Sequence, residues 1–275
     1  MPDKELKILE EIDMKLEAIV FEFIENYRLK VSKEIQEAIL DFIDTLDNEL
    51  TIKSRLARSK IINKFRAELE TVIKDGAMAD GYLKLIEGYK DIVFAANNYF
   101  ALLSIKYEKE LYRELFKESI LFRKESLIGT GTAENIVNPI VNRIYSLNME
   151  GITKKELKSF VVDLLQKNKG NLRYVEQITT DSLYQMTQNY QLKISEDLKI
   201  QYYYYAGSKM KTSRQFCISR YGKVFTKKEV QEWVSLEWSG KIVGTDKNSI
   251  FWFRGGYNCR HTLRPISKNL YERLK

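Results

Sequence analysis

From Leu6 to Leu50 apolar residues recur at positions 6, 9, 12, 16, 19, 23, 27, 31, 35, 39, 42, 46 and 50, which is 44 residues in 12 steps, a mean spacing of about 3.67. This is the period of an α-helix, and alternation at period two cannot be threaded through it. The pattern predicts one very long helix between Lys4 and Lys74, or two helices broken near Arg28 to Lys33 or Thr51 to Ser54. Gly76 and Gly81 mark a turn. A second train, Tyr82, Ile86, Tyr89, Val93, Ala96, Phe100, Leu103, Tyr107, Leu111 and Leu115, predicts a helix to about Lys124. A single amphipathic helix cannot bury its own stripe, so these helices either fold back as an antiparallel bundle or extend as an arm completed by another chain. Only 3 prolines and 13 glycines interrupt 275 residues, of which 44% are apolar, so long helices should dominate an ordered core.

Residues 127–138 (LIGTGTAENIVN) break the periodicity ahead of Pro139 and read as a linker. Thr153-Lys-Lys-Glu156 is a capping box that should start a short helix to about Lys167, ended by Gly170, with a further helix from Leu172 to the Leu198 region. The four tyrosines 202–205, followed by Ala206-Gly207, fit a strand covered on both faces. Gly222 to Phe225 is a second short strand, and Thr226-Lys-Lys-Glu229 is a second capping box, for a helix over 227–237. Ser249 to Phe253 and Thr262 to Ile266 read as closing strands. The fold class expected is therefore α+β and predominantly helical. It comprises a helical N-terminal region (1–126), a linker (127–139), a helical lead-in (140–200) and a small basic α+β module (201–275).

Much chemistry is excluded at once. One histidine cannot supply H-E-x-x-H or any other site needing two imidazoles, and G-x-S-x-G, the P-loop pattern and G-x-G-x-x-G are all missing. Two cysteines cannot build a disulfide framework, acidic side chains punctuate the first thirty residues, and no run approaches the roughly 18 apolar residues of a membrane span. A soluble chain without a membrane anchor is expected. Its charge is uneven: residues 205–275 hold 15 Lys/Arg and 5 Asp/Glu, or +10, so the first 204 residues sum to −3 against a total of +7. Such a module attracts polyanions, whereas the preceding part reads as a balanced, salt-bridged helical surface.

Cys217, Cys259 and His261 comprise both cysteines and the only histidine, all in the strand-and-loop region, the last two as Cys-x-His. Thiolate and imidazole suit zinc, with a carboxylate such as Asp246 or a water as fourth ligand. A Cys-His nucleophilic dyad and a purely structural core role are the other readings. No other cofactor is implied.

The segments Thr212-Ser-Arg-Gln-Phe-Cys217, Gly222-Lys-Val-Phe225 and Gly255-Gly-Tyr-Asn-Cys-Arg-His-Thr-Leu-Arg-Pro-Ile266 resemble the C-terminal domain of phage Mu F-like minor head proteins. Gly151 to Leu157 and Ile178 to Ser182 resemble the helical lead-in of that domain, so the likeness covers roughly residues 140–267. The chain departs from it at Gly256, where many members carry a histidine, and in the basic run Lys209-Met-Lys211, where an acidic residue is common. The resemblance implies a non-enzymatic virion protein made in the host cytoplasm. It would sit near the portal in several copies of a symmetric assembly, bind portal or capsid protein, and act in head assembly and DNA packaging or delivery. Candidates for non-specific phosphate contact are Lys209, Lys211, Arg214, Arg220, Lys223, Arg254, Arg260 and Arg264, interleaved with aromatics. The alternatives are a virion-borne enzyme or toxin-like module (transferase or nuclease), for which Glu108 and Glu110 are the nearest acidic pair, and a zinc-stabilised binding module.

Overall fold

The computed structural model describes residues 2–45, 55–103, 111–142, 153–156, 158–159 and 169–275. The chain divides into two compact units, one formed by Met1–Phe21, Ile86–Leu121 and Gln177–Lys275, the other by Glu22–Leu85 and Phe122–Glu176. This interleaving replaces the sequential division expected above, because the beginning of the chain belongs with its end. Long helices make it possible: α1 (Pro2–Asn26), α4 (Ala77–Leu102), α5 (Leu111–Ile128) and α6 (Lys169–Asp197) each contribute residues to both units. No described helix is long and apolar enough to cross a membrane.

The second unit is helical. After α1 the chain continues through a π-helical turn, Tyr27–Val31, into α2 (Ser32–Asp44). The sequence explains the turn. From Phe23 the stripe advances 23, 27, 31, 35, 39, four successive steps of four, and each step overshoots a 3.6-residue turn by about 40°. A π-turn absorbs extra residue and keeps Phe23, Tyr27, Val31, Ile35 and Ile39 buried on one face. The break expected near 28–33 is thus a bulge within continuous helix, and the option at 51–54 lies outside the described residues. Helix α3 (Arg55–Asp75) packs on α2, with Phe42 and Phe65 stacked at 4.1 Å between ring centroids. At Gly76 the chain turns into α4, where Glu34 Oε2 accepts from the Ala77 amide (2.9 Å) and Asn26 Nδ2 donates to the Ala77 carbonyl (2.8 Å). Glu34 thereby serves an amide that the helix start leaves without an intrahelical partner, and Asn26 adds a second bond to the same peptide. A side chain at Gly76 would collide with Glu34.

Three expectations change in this region. Gly170 lies inside α6, and Gly81 lies inside α4, where its burial outweighs the roughly 1 kcal/mol propensity cost of glycine in a helix. The segment expected to be a linker is helical on both sides of a bend at Gly129, with Leu127, Ile128, Thr132, Ile136 and Val137 buried. The Thr153 capping box forms: the Thr153 amide donates to Glu156 Oε2 (2.8 Å) and the Glu156 amide to Thr153 Oγ1 (3.3 Å). The rest of that helix, up to 168, and the Glu108/Glu110 pair fall largely or wholly outside the described residues.

The first unit holds a three-stranded antiparallel sheet in the order β2-β1-β3, formed by β1 (Tyr202–Gly207), β2 (Val224–Thr226) and β3 (His261–Ile266). Tyr203 and Tyr205 point into a core of Leu192, Phe216, Val230, Trp233, Ile250, Phe251 and Leu263, with Phe225, Trp238 and Trp252 at its margin. Tyr202 stacks instead on Tyr271 of the terminal helix. The capping box at Thr226 and Glu229 is complete, but its helix ends at Glu232 and tightens to a 3₁₀ turn through Ser235. Ser249 to Phe253 is not a strand. Asp246 Oδ1 accepts from the amides of Asn248 and Ser249 (2.8 and 2.7 Å), which caps the turn 247–249 leading into a short helix, Ile250–Phe253, and the Phe253 amide reaches the Ser249 carbonyl (2.8 Å). Local capping overrides the β preference of Ile-Phe-Trp-Phe.

Strand β3 lies at the edge of the sheet, yet all six of its residues are buried. Its outer backbone groups are met by side chains. Gln188 of α6 donates to the Leu263 carbonyl (2.5 Å) and accepts from the Leu263 amide (2.9 Å), and the Tyr99 hydroxyl donates to the Pro265 carbonyl (2.5 Å). Proline is tolerated here because an edge position asks for no outward amide. From α1, Asp13 accepts from Thr262 Oγ1 (3.1 Å) and from Arg264, and Glu5 accepts from the Ser267 amide (2.8 Å) and lies 2.9 Å from the Tyr99 hydroxyl, whose single proton it shares with the Pro265 carbonyl.

Candidate functional site

The loop 254–260 ties the three chemically informative residues together. Arg254, Gly256 and Asn258 all have positive φ (47°, 93° and 54°), conformations that cost energy for residues with a Cβ. The loop thereby delivers Cys259 and, at the first position of β3, His261. Cys217 comes from the opposite side on a short helix, Gln215–Ile218. Its Sγ lies 3.9 Å from Cys259 Sγ, which lies 3.9 Å from His261 Nδ1, and the three donor atoms fall within 4.8 Å of one another. All three residues are at most 2% exposed.

Glycines shape the surroundings. A methyl group on Gly255 would run into both sulfurs, and one on Gly207, paired with His261 across the sheet, would run into the backbone at Arg260 and His261. The Tyr205 ring stacks on the imidazole at 5.4 Å, and Tyr221 meets it edge-on at 6.3 Å. Beside the cluster is a cavity of about 30 Å³, which Ser208, Thr212, Arg214, Cys217, Cys259 and His261 help to line. It has room for one or two water-sized guests.

The electrostatics are unsymmetrical. Cys259 is pulled well below the usual thiol range by the thiol of Cys217, which donates to it, by the imidazole and by the Arg254 guanidinium, against the opposing effect of burial. Cys217 is pushed up, first by its bond to Cys259 and then by burial. The first thiolate of the pair therefore sits on Cys259. Arg254, 1% exposed, donates to the carbonyls of Tyr184 (3.3 Å) and Cys259 (3.5 Å). Asp181 accepts from the Asn258 amide (2.6 Å), and burial raises its carboxyl to about 6 although that bond and Arg254 act the other way. His261 is the least satisfied member: Nε2 has no hydrogen-bond partner, and Nδ1 meets only sulfur.

Asp246, the carboxylate considered as fourth ligand, is occupied as the cap described above and lies outside this group. Of the eight phosphate-contact candidates, Lys209, Lys211 and Lys223 are exposed and Arg214, Arg220 and Arg260 are half-buried. Arg214 and Arg220 line one open cleft with Phe216 and Trp238, where the Arg220 guanidinium lies 3.8 Å from the Phe216 ring centroid. Arg254 and Arg264 are corrections: both are wholly buried and spent on internal carbonyls and Asp13, so neither offers charge to a phosphate. Sequence reasoning missed Asp181, Tyr205 and Gly255 as neighbours of the cluster. Only Gly255 carried a signal, as half of a Gly-Gly pair close to a cysteine.

No family model matches the chain, and neither a curated protein nor a solved structure matches it.

Proposed function

We propose that this chain is a minor structural protein of a virus head, of the Mu F-like kind. In that role it is a non-enzymatic component made in the host cytoplasm, bound to portal or capsid protein near the portal in several copies, and active in head assembly and DNA packaging or delivery. One observation carries the reading. Of the three segments on which the resemblance rests, 212–217 and 222–225 are near neighbours and 255–266 comes later in the chain, and all belong to a single core, with Cys217 against Cys259 and strands β2 and β3 on either side of β1. The exposed Lys209, Lys211 and Lys223, with Arg214, Arg220 and Arg260, supply non-specific phosphate contact that should weaken as salt rises.

The test is mass spectrometry of nuclease-treated, density-purified heads from the host that carries the gene. Peptides of this chain recovered with those of the portal are the expected result. Their restriction to the soluble fraction, with other head proteins recovered in particles, overturns the proposal.

A further inference from the structure

The geometry points to a zinc-binding site at Cys217, Cys259 and His261, whose fourth ligand is a water in the adjoining cavity. The claim is independent of the virion reading, since it concerns the isolated chain. Two thiols and an imidazole converge from the helix 215–218, the loop 254–260 and β3, so the site is built by tertiary structure and not by one local turn. An ion in the plane of three donors spaced in this way would lie roughly 2.3–2.5 Å from each, and about 0.1 Å farther once a fourth ligand draws it out of that plane, against about 2.3 Å for zinc to thiolate and 2.0–2.1 Å for zinc to imidazole. A contraction of a few tenths of an ångström completes the fit.

Two further observations indicate a guest. The imidazole is 98% buried, with one ring nitrogen lacking any partner and the other facing sulfur. Buried polar groups ordinarily find a partner, and a metal would be that partner here. The neighbouring cavity can also admit a single water-sized ligand, whereas Gly255 closes the other side without a side chain. Soft thiolates with imidazole favour zinc over magnesium or calcium. On binding, the ion exchanges for protons: both cysteines become thiolates, the histidine is neutral, and any thiol proton passes to solvent. Two thiolates balance the dication. No bond other than the metal–ligand bonds forms and no electron is transferred.

The competing occupant of the same space is a Cys217–Cys259 disulfide, which the experiment must separate. Full-length chain purified without chelator is assayed for zinc by elemental analysis and for thiols after denaturation without reductant. About one zinc and two thiols per chain are expected. The metal is then stripped and cobalt(II) added to the same chain. A thiolate-to-cobalt charge-transfer band with tetrahedral d–d absorption is expected, abolished in Cys217→Ser and Cys259→Ser. In His261→Gln the apparent affinity should fall by more than about 100-fold, because even outer-shell changes at metal sites cost 10–100-fold. Should a variant fail to fold by circular dichroism, the wild-type cobalt spectrum decides alone. Trace zinc with no charge-transfer band, or the absence of free thiols in the chain as purified, overturns the proposal. Presence or absence of the chain in heads bears on neither outcome.

Discussion

The two units fill their interiors by different means. In the helical unit, Phe23, Tyr27, Val31, Ile35, Ile39 and Phe42 make a continuous apolar stripe on which Phe65 of α3 stacks, and polar side chains intervene chiefly where Asn26 and Glu34 serve the backbone of Ala77. In the sheet-bearing unit Glu5, Asp181, Gln188, Arg254 and Arg264 are all buried and bonded to groups distant in sequence. Apolar packing is tolerant of exchange among residues of similar volume, whereas a buried charge that loses its partner has no substitute. The helical unit should therefore respond to mutation in proportion to lost volume, and the sheet-bearing unit in steps.

Alkali should separate them most. Burial raises the hydroxyls of Tyr99, Tyr184, Tyr190, Tyr203, Tyr204 and Tyr205 in the sheet-bearing unit, and those of Tyr27, Tyr82 and Tyr174 in the helical unit, with Tyr203 and Tyr82 each at about 12. Unfolded tyrosines ionise near 10 while these stay protonated, so the unfolded state binds fewer protons above that pH and stability falls as pH rises. Hydrogen exchange resolved by peptide should show the sheet-bearing unit opening first above pH 10. Simultaneous opening would erase the distinction.

Removing Asp13 leaves Arg264, 0% exposed, without its carboxylate. Asp13→Ala should cost about 3–5 kcal/mol in denaturant unfolding, and a loss below about 1 kcal/mol would mean that the pair is solvated. Within the helical unit Ile39→Ala should cost about 2–5 kcal/mol, but Ile39→Met less than about 1.5. A Met variant as damaging as the Ala variant would contradict volume-limited packing there. Smallest of all, Thr226→Ala should remove the hydroxyl that accepts from the Glu229 amide and donates to the Glu229 carboxylate, a loss of about 1 kcal/mol in thermal unfolding.

Several features were legible in the chain as written. The 3.67-residue train gave helix through Asp44, the tyrosine run gave β1, and both capping boxes formed at the positions their residues indicate. The gathering of Cys217, Cys259 and His261 was legible only as a coincidence of composition. Other features were misread because a local competitor was hidden: Asp246 holds the amides of Asn248 and Ser249 in a turn that leads into the helix 250–253, and burial of Leu127, Ile128, Ile136 and Val137 on either side of the small residues keeps that segment helical. The +10 of residues 205–275 overstates the free positive surface, because Arg254 and Arg264 point inward.

Periodicity and capping act over a few residues, so the order of side chains alone determined which segments became helix or strand and which face of each was apolar. Only the tertiary structure decided that α1 completes the edge of the final strand, that two arginines are interior, and that two sulfurs and an imidazole share one cavity. Those outcomes depend on pairing groups up to 262 positions apart, as Glu5 with Ser267. No local spacing encodes the desolvation and partner geometry that settle them.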